Sequence, residues 1–199
     1  MDAIEQFEVG KFTVKIYQDE DAQNPRKEWD NFGKMVCAHR RYNLGDEEFS
    51  PEEIQEIAAR SDVLYLPLYL IDHSGLSMNT GGFTSCDPQG WDWGCVGIIY
   101  ADRDMVFKEF GTRRFTKKLK YKVSQLLRHE VKAYDQYLTG DVYGYVVEDE
   151  DGENLDSCWG FYGFEYCKQE AESAAQYQVR AMLQGVAENV ICVGMAAAV

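Results

Sequence analysis

The residue types best suited to catalysis lie in the segment 72–94. Asp72, His73 and Ser74 are consecutive there, and Asp92 lies near the end of the same segment. Aspartate, histidine and serine carry out acyl transfer when the serine attacks a carbonyl and the histidine accepts its proton. Neighbouring residues at a strand end point in different directions, however, and the chain has no G-x-S-x-G motif. A small hydrolase or nuclease-like enzyme is therefore one alternative, and a turn stabilised by these polar side chains is the simpler one.

The same segment offers oxygen ligands for a metal. Asp72, Asp87 and Asp92 carry the carboxylates that Mg²⁺ prefers, but their spacing matches no nuclease or phosphatase pattern. The six cysteines and three histidines show no C-x-x-C, H-x-x-x-H or H-E-x-x-H pairing. The glycines match neither the P-loop nor the dinucleotide motif. We therefore predict no metal and no cofactor, and we expect reduced, mostly buried thiols.

A run of acidic residues forms the second candidate site. It covers the turn of a predicted hairpin, residues 148–156. Spaced carboxylates on a rigid scaffold can imitate the phosphates of a nucleic acid and bind the basic surface of a protein that processes DNA or RNA. A solvated loop has the same composition, so both interpretations stay open. The candidate partner-binding residues are Glu148, Asp149, Glu150, Asp151, Glu153 and Asp156.

Charge is distributed unevenly along the chain, whose formal net charge is −14. The window 103–132 holds 10 bases and 3 acids, and every other part of the chain is net acidic. A basic helix over 113–132 could contact nucleic acid through Lys117, Lys118 and Lys120. The acidic total repels nucleic acid at long range, so direct binding is the less favoured alternative. The charge favours a protein partner, or a protein–nucleic-acid complex, with a basic surface.

The hydrophobic pattern predicts the elements that would hold these sites. The 199 residues, 45% of them hydrophobic, predict a single α+β domain over 1–199. We expect a mainly antiparallel sheet of about six strands packed by two long helices. Two apolar strands, 63–71 and 95–100, would bracket a long loop at 72–94.

Composition also gives expectations for membrane association and for the two ends of the chain. The acidic amino terminus lacks the pattern of a signal peptide, and no apolar run reaches the roughly 20 residues of a membrane helix. We therefore expect a cytoplasmic protein that does not bind membranes. A helix is predicted over 165–187, and the apolar end, 189–199, is predicted to be a docked edge strand. The oligomeric state is left open.

Four stretches carry a family resemblance: EWDNFGKMVCAHRRYNLGD, IDHSG, WDWGCVGIIY, and YDQYLTGDVYGYVVED followed by CWGFYG. In them the chain resembles a family of functionally uncharacterised small proteins encoded by bacteriophages, prophages and plasmids. The resemblance assigns no catalytic residue. It implies the genetic setting in which anti-restriction and anti-CRISPR inhibitors occur. We therefore expect a phage protein that binds and inhibits a host defence or nucleic-acid-processing complex through acidic surfaces, as a DNA mimic does.

Overall fold

The contacts of the chain divide it into two compact units. The computed structural model describes the backbone of residues 2–112 and 114–196 and the side chains of these residues up to 184. The terminal unit combines Met1–Ala22 with Gly140–Val199, and the central unit is Gln23–Thr139. The single domain expected over 1–199 stays a prediction.

Strands and helices are interspersed along the described residues. In chain order they are β1 (Glu5–Val9), β2 (Phe12–Gln18), α1 (Pro25–Glu28), β3 (Lys34–Cys37), β4 (Glu47–Glu48), α2 (Pro51–Ala59), β5 (Val63–Asp72), β6 (Leu76–Asn79), β7 (Trp93–Asp102), α3 (Arg103–Phe110), α4 (Lys117–Thr139), β8 (Val142–Glu148), β9 (Asn154–Tyr162) and α5 (Phe164–Ala196).

The terminal unit is a four-stranded antiparallel sheet with one helix on it. Its strand order is β1-β2-β8-β9, so β2 from the start of the chain pairs with β8 from its last third. Alternation along β2 places Phe12, Val14 and Ile16 on one buried face. The small residues Cys167, Ala171 and Ala175 of α5 pack against that face. Within the described residues, no helix of the terminal unit lies over the opposite face of this sheet.

The central unit is built on a five-stranded sheet in the order β4-β3-β7-β5-β6. Among its described strand pairs, the short β3–β4 pair is parallel and the others are antiparallel. Helix α4 buries one stripe of apolar residues, which belongs to the main hydrophobic core of this unit together with residues of β3, β5 and β7. The stripe consists of Leu119, Val123, Leu127, Val131 and Tyr134.

Local sequence signals explain two details of the central unit. Pro67 pairs in register with Ile98 of β7, whereas β6 pairs with β5 only from Tyr69 onward. Proline has no backbone N–H, so it fits where one neighbour is missing. Helix α2 begins with the expected capping box between Ser50 and Glu53.

A buried arginine connects three segments of the central unit. The Arg26 guanidinium, whose side chain is 0% exposed, donates to both carboxylate oxygens of Asp46, to Glu130 and to the Gly33 carbonyl oxygen. The Glu130 carboxylate also accepts the backbone N–H groups of Phe32 and Gly33. Burial by itself lowers the pKa of Arg26, but the hydrogen bonds and charges of its two acidic partners outweigh burial and raise it. The cluster is therefore a fully paired ionic core.

The predicted fold class, α+β with mainly antiparallel strands, is confirmed. The strands are divided between two sheets, of four and five strands. Because β5 continues to Asp72 and β7 begins at Trp93, the segment 72–94 joins their ends, but it is not one continuous loop, since β6 forms within it.

Two predictions of secondary structure are wrong, one in the type of element and one in where a helix begins. The expected edge strand at 189–199 is helix up to Ala196, because α5 continues through it, and residues 197–199 lie outside the described residues. The basic helix expected over 113–132 begins at Lys117, where the Thr116 hydroxyl accepts the Leu119 N–H and caps the first turn. Residue 113 is also outside the described residues.

Among the described residues, no helix combines the length and the apolar character that a membrane span requires.

Candidate functional site

The ends of β5 and β7 form one side of a cleft in the central unit. Ile71 pairs with Trp93, and the Asp72 N–H donates to the Asp92 carbonyl oxygen at 3.0 Å. Residues that follow β3 form the other side. The cleft has a volume of about 440 Å³, and its polar lining includes His39, Arg40, Arg41, Asp72, Asp92 and Cys95.

The proposed catalytic residues do not form a triad. The Asp72 carboxylate accepts a hydrogen bond from Arg41 Nη2 at 2.5 Å and one from the Tyr42 hydroxyl at 3.2 Å. His73 instead pairs through Nδ1 with Asp92 Oδ2 at 2.9 Å. The Ser74 side chain has no hydrogen-bond partner within the described residues, and its positive φ of 59° places it in the tight turn between β5 and β6. Asp72 and His73 therefore point to different partners, as expected for neighbours at a strand end.

The His73–Asp92 pair retains part of the geometry of a catalytic dyad. A carboxylate on Nδ1 orients the ring and leaves Nε2 to accept a proton. The side chains of His73 and Asp92 are 71% and 46% exposed. Both groups are thus solvated, whereas general bases usually act in sites from which water is excluded. The pair can bind a proton, but this surface gives a substrate little enclosure.

Asp87 orders the loop that carries Asp92. Its carboxylate accepts the backbone N–H groups of four residues, Gln89, Gly90, Trp91 and Asp92, at 2.6–3.2 Å. These hydrogen bonds, that of Asp92 first, lower the pKa of the Asp87 carboxyl. Trp93 adds support, because its Nε1 donates to the Asp87 carbonyl oxygen at 2.9 Å. This aspartate therefore has a structural role.

The three aspartates considered for magnesium are not gathered around one point. Asp72 pairs with Arg41, Asp87 binds backbone amides, and Asp92 pairs with His73. Across the described part of the chain, no group of three histidine, cysteine, aspartate or glutamate side chains is placed to hold a metal.

The cysteines differ from the expectation in one respect. The five whose side chains are described are free, but Cys86, Cys95 and Cys158 are exposed, so the prediction of mostly buried thiols is wrong. These three lie in the loop and on strand stretches open to solvent. Burial raises the pKa of the other two thiols, Cys37 and Cys167, to about 12.

The acidic hairpin of the terminal unit is formed as predicted, with its turn between β8 and β9. Three of its six acids have a partner within the terminal unit. Glu148 pairs with Lys15 at 2.6 Å and Glu150 with Lys11 at 3.0 Å, while Asp149 Oδ1 accepts two backbone N–H groups of the turn. The hydrogen bond that Lys15 donates to Glu148 raises the pKa of Lys15. Sequence reasoning missed these lysines because Lys15 of β2 and Lys11 of the turn before β2 are far from the hairpin along the chain.

The other three acids of the hairpin are available to a partner. The side chains of Asp151, Glu153 and Asp156 have no ion pair or hydrogen bond within the described residues. Asp151 and Glu153 are exposed, and Asp156 is half-buried on β9. A basic partner could therefore approach these carboxylates without breaking an internal contact.

The two units differ sharply in charge. The terminal unit contains 17 Asp and Glu against 4 Lys and Arg, a formal charge of −13, and the central unit contains 17 against 16, a charge of −1. The basic window seen in the sequence is thus balanced within its own unit. Lys117, Lys118 and Lys120 lie exposed on the first turns of α4. Almost all the net charge of the protein therefore belongs to the unit that carries the acidic hairpin.

Comparisons of the chain with protein-family models, with curated proteins and with solved structures found no match. The resemblance to proteins of phages and plasmids therefore stays a prediction.

Proposed function

We propose that this is a binding protein of a mobile element that inhibits a host defence or nucleic-acid-processing complex by occupying its basic surface. The observation that carries the proposal is the charge of −13 on the terminal unit. A strongly acidic surface accelerates association with a basic partner and competes with DNA or RNA for it. Anti-restriction and anti-CRISPR inhibitors that act as DNA mimics have this chemistry.

The contacts of the hairpin support the same proposal. Lys11 and Lys15 hold Glu150 and Glu148 in place, and the backbone amides of the turn hold Asp149. An acidic surface on an ordered β-hairpin loses less conformational entropy on binding than a disordered acidic tail does. The unpaired carboxylates of Asp151, Glu153 and Asp156 would then make the new ion pairs.

The test measures DNA cleavage by purified restriction enzymes and CRISPR nucleases with increasing amounts of the protein. A triple variant, D151K/E153K/D156K, reverses the unpaired acids of the hairpin. A second triple variant, E48K/E52K/E56K, reverses exposed acids of the central unit and changes the net charge equally.

We expect the wild-type protein and the E48K/E52K/E56K control to inhibit one of these nucleases with similar midpoints. The hairpin variant should need at least tenfold more protein. Inhibition should also weaken as salt rises, since ion pairs at exposed sites are screened. Equal inhibition by both variants, or none by the wild type, contradicts the proposal.

The 2.9 Å contact between His73 and Asp92 favours a hydrolase as the second candidate. A hydrolase would lose turnover in His73→Ala and Asp92→Asn variants that stay folded by circular dichroism. An inhibitor would keep its full effect on the nuclease in both.

The exposed Lys117, Lys118 and Lys120 support a third, less favoured candidate, direct nucleic-acid binding. Such binding would be strongly salt-dependent. It would be lost when these three lysines are changed to glutamate.

A further inference from the structure

Strand β9 is an edge of the terminal sheet, and its outer side has no strand beside it within the described residues. It is nine residues long, Asn154–Tyr162, and contains no proline, lysine or arginine. Edge strands of natural proteins usually carry such residues because an open edge pairs with other chains. The register shifts of β8 leave Leu155 at one side and the pair Trp159–Gly160 at the other without a partner in register, so the irregular positions of β9 include Trp159 itself. The run 156–158 between them keeps a regular register.

An aromatic surface adjoins this edge on the face of the sheet that α5 does not cover. The Trp159 ring lies against the backbone of Gly144, where an added Cβ would come within 2.2 Å of the ring. Tyr17 stacks beside it, with ring centroids 6.0 Å apart and planes inclined by 29°. Trp159 is nevertheless 44% exposed. A strand added to β9 would therefore place its side chains next to an accessible indole.

The carboxylates beside β9 determine which kind of strand can pair with this edge. Asp156 pairs in register with Val147, so it lies on the face opposite Trp159. A strand beside β9 would thus meet a carboxylate on one face and an indole on the other, and both attract Lys and Arg side chains. Asp151 and Glu153 lie at the hairpin end of the same edge.

A second copy of the chain is a poor occupant of the edge. Pairing β9 with β9 of another copy would bring together two units of formal charge −13, with their Asp156 carboxylates along the same seam. Like charges on adjacent strands destabilise a sheet. The acidity therefore protects the edge from self-association while leaving it open to a basic chain.

We propose that the free edge of β9 binds an extended, arginine- or lysine-rich segment of a partner protein by β-strand addition. Backbone hydrogen bonds to the edge would supply affinity, and contacts with Trp159 and Asp156 would supply the preference for basic residues. This inference rests on the proposed function, since it specifies how the acidic unit contacts a basic partner.

The test uses the full chain and three short peptides as probes. In the first peptide arginine and threonine alternate. The second has the same sequence with every second backbone nitrogen methylated, so one edge of the peptide cannot donate hydrogen bonds. The third has glutamate in place of arginine. Binding is measured by fluorescence anisotropy, and the contacted strand is located by hydrogen exchange of peptides covering β9 and, for comparison, β6.

We expect the first peptide to bind and the methylated peptide to bind at least tenfold more weakly. The glutamate peptide should not bind. Hydrogen exchange should slow in β9 and stay unchanged in β6. Trp159→Leu, which keeps an apolar side chain but removes the indole, should weaken binding of the first peptide severalfold.

Equal binding of the two arginine peptides, or no added protection of β9, overturns the strand-addition inference. Failure of the first peptide to bind overturns it as well. These outcomes leave the nuclease assay unaffected, because inhibition through acidic side chains alone does not require the edge of β9. Loss of inhibition in that assay is therefore a separate result.

Discussion

Replacing Arg26 with methionine tests the ionic core of the central unit. The guanidinium makes four hydrogen bonds, at 2.6–2.8 Å, to Asp46, Glu130 and the Gly33 carbonyl. Methionine fills much of the same volume but donates no hydrogen bond. The carboxylates of Asp46 and Glu130, 23% and 16% exposed, would be left close together without their cation.

The expected loss of unfolding free energy is about 3 kcal/mol, because removing one partner of a buried ion pair costs about 3–5 kcal/mol and the two carboxylates can recover some hydration. With an m value of about 2 kcal/mol per M urea, the unfolding midpoint should fall by about 1.5 M. Because the two units need not unfold together, the lower stability should be measured on the central unit itself. Peptides from residues 23–139 should exchange their amide hydrogens faster in the variant.

Arg41→Met is the matched control. Arg41 also pairs with an aspartate, Asp72, but its side chain is 69% exposed. An exposed ion pair contributes about 0–1 kcal/mol, so the same substitution there should shift the midpoint by less than about 0.5 M. A shift for Arg26→Met no larger than that of the control would refute the argument that this cluster holds the central unit together.

Three further predictions concern single positions. Gly144→Ala should destabilise the terminal unit by about 1–3 kcal/mol, since the added methyl group overlaps the Trp159 ring. Gly94→Ala is the control, because an added Cβ there has no atom within 4 Å. It should lower the urea unfolding midpoint far less than Gly144→Ala does. The folded-state pKa of the Asp87 carboxyl lies below its unfolded value. The contribution of this carboxylate to loop order is therefore present above pH of about 4 and is lost as the pH falls through the folded pKa. The amide resonances of residues 89–92 should move as the pH falls through the folded pKa, and unchanged resonances would contradict the argument. Iodoacetamide should label the exposed Cys95 in the native protein and leave the buried Cys37 unlabelled, as read by peptide mass spectrometry; equal labelling would contradict the burial of Cys37.

Local signals in the sequence were sufficient for many elements of the fold. The Ser50–Glu53 capping box, the strand containing Pro67 and the hairpin turn at 150–153 are each specified by adjacent residues, and each is present. The end of α5 was misassigned because an apolar segment rich in alanine and valine fits a buried strand and a helix equally well.

The candidate sites were only partly predictable. The acids of the hairpin are visible in the sequence, but the lysines that neutralise Glu148 and Glu150 come from β2 and from the turn before it, more than a hundred residues away. Likewise, Asp72 and His73 are neighbours in sequence, yet one pairs with Arg41 and the other with Asp92. Such partners depend on which strands meet, and no local pattern encodes that choice.

The sequence by itself determined the α+β class, the acidic character and the positions of most helices and strands, because propensity, hydrophobic period and capping act over a few residues. Only the tertiary structure decided that the two ends of the chain share one sheet, through the β2–β8 pairing. This pairing gathers a charge of −13 into one unit and, among the described strands, leaves β9 at the edge of the sheet. The physical reason is that electrostatic potential and edge accessibility depend on distances in space, and these are set by contacts between residues far apart in the chain.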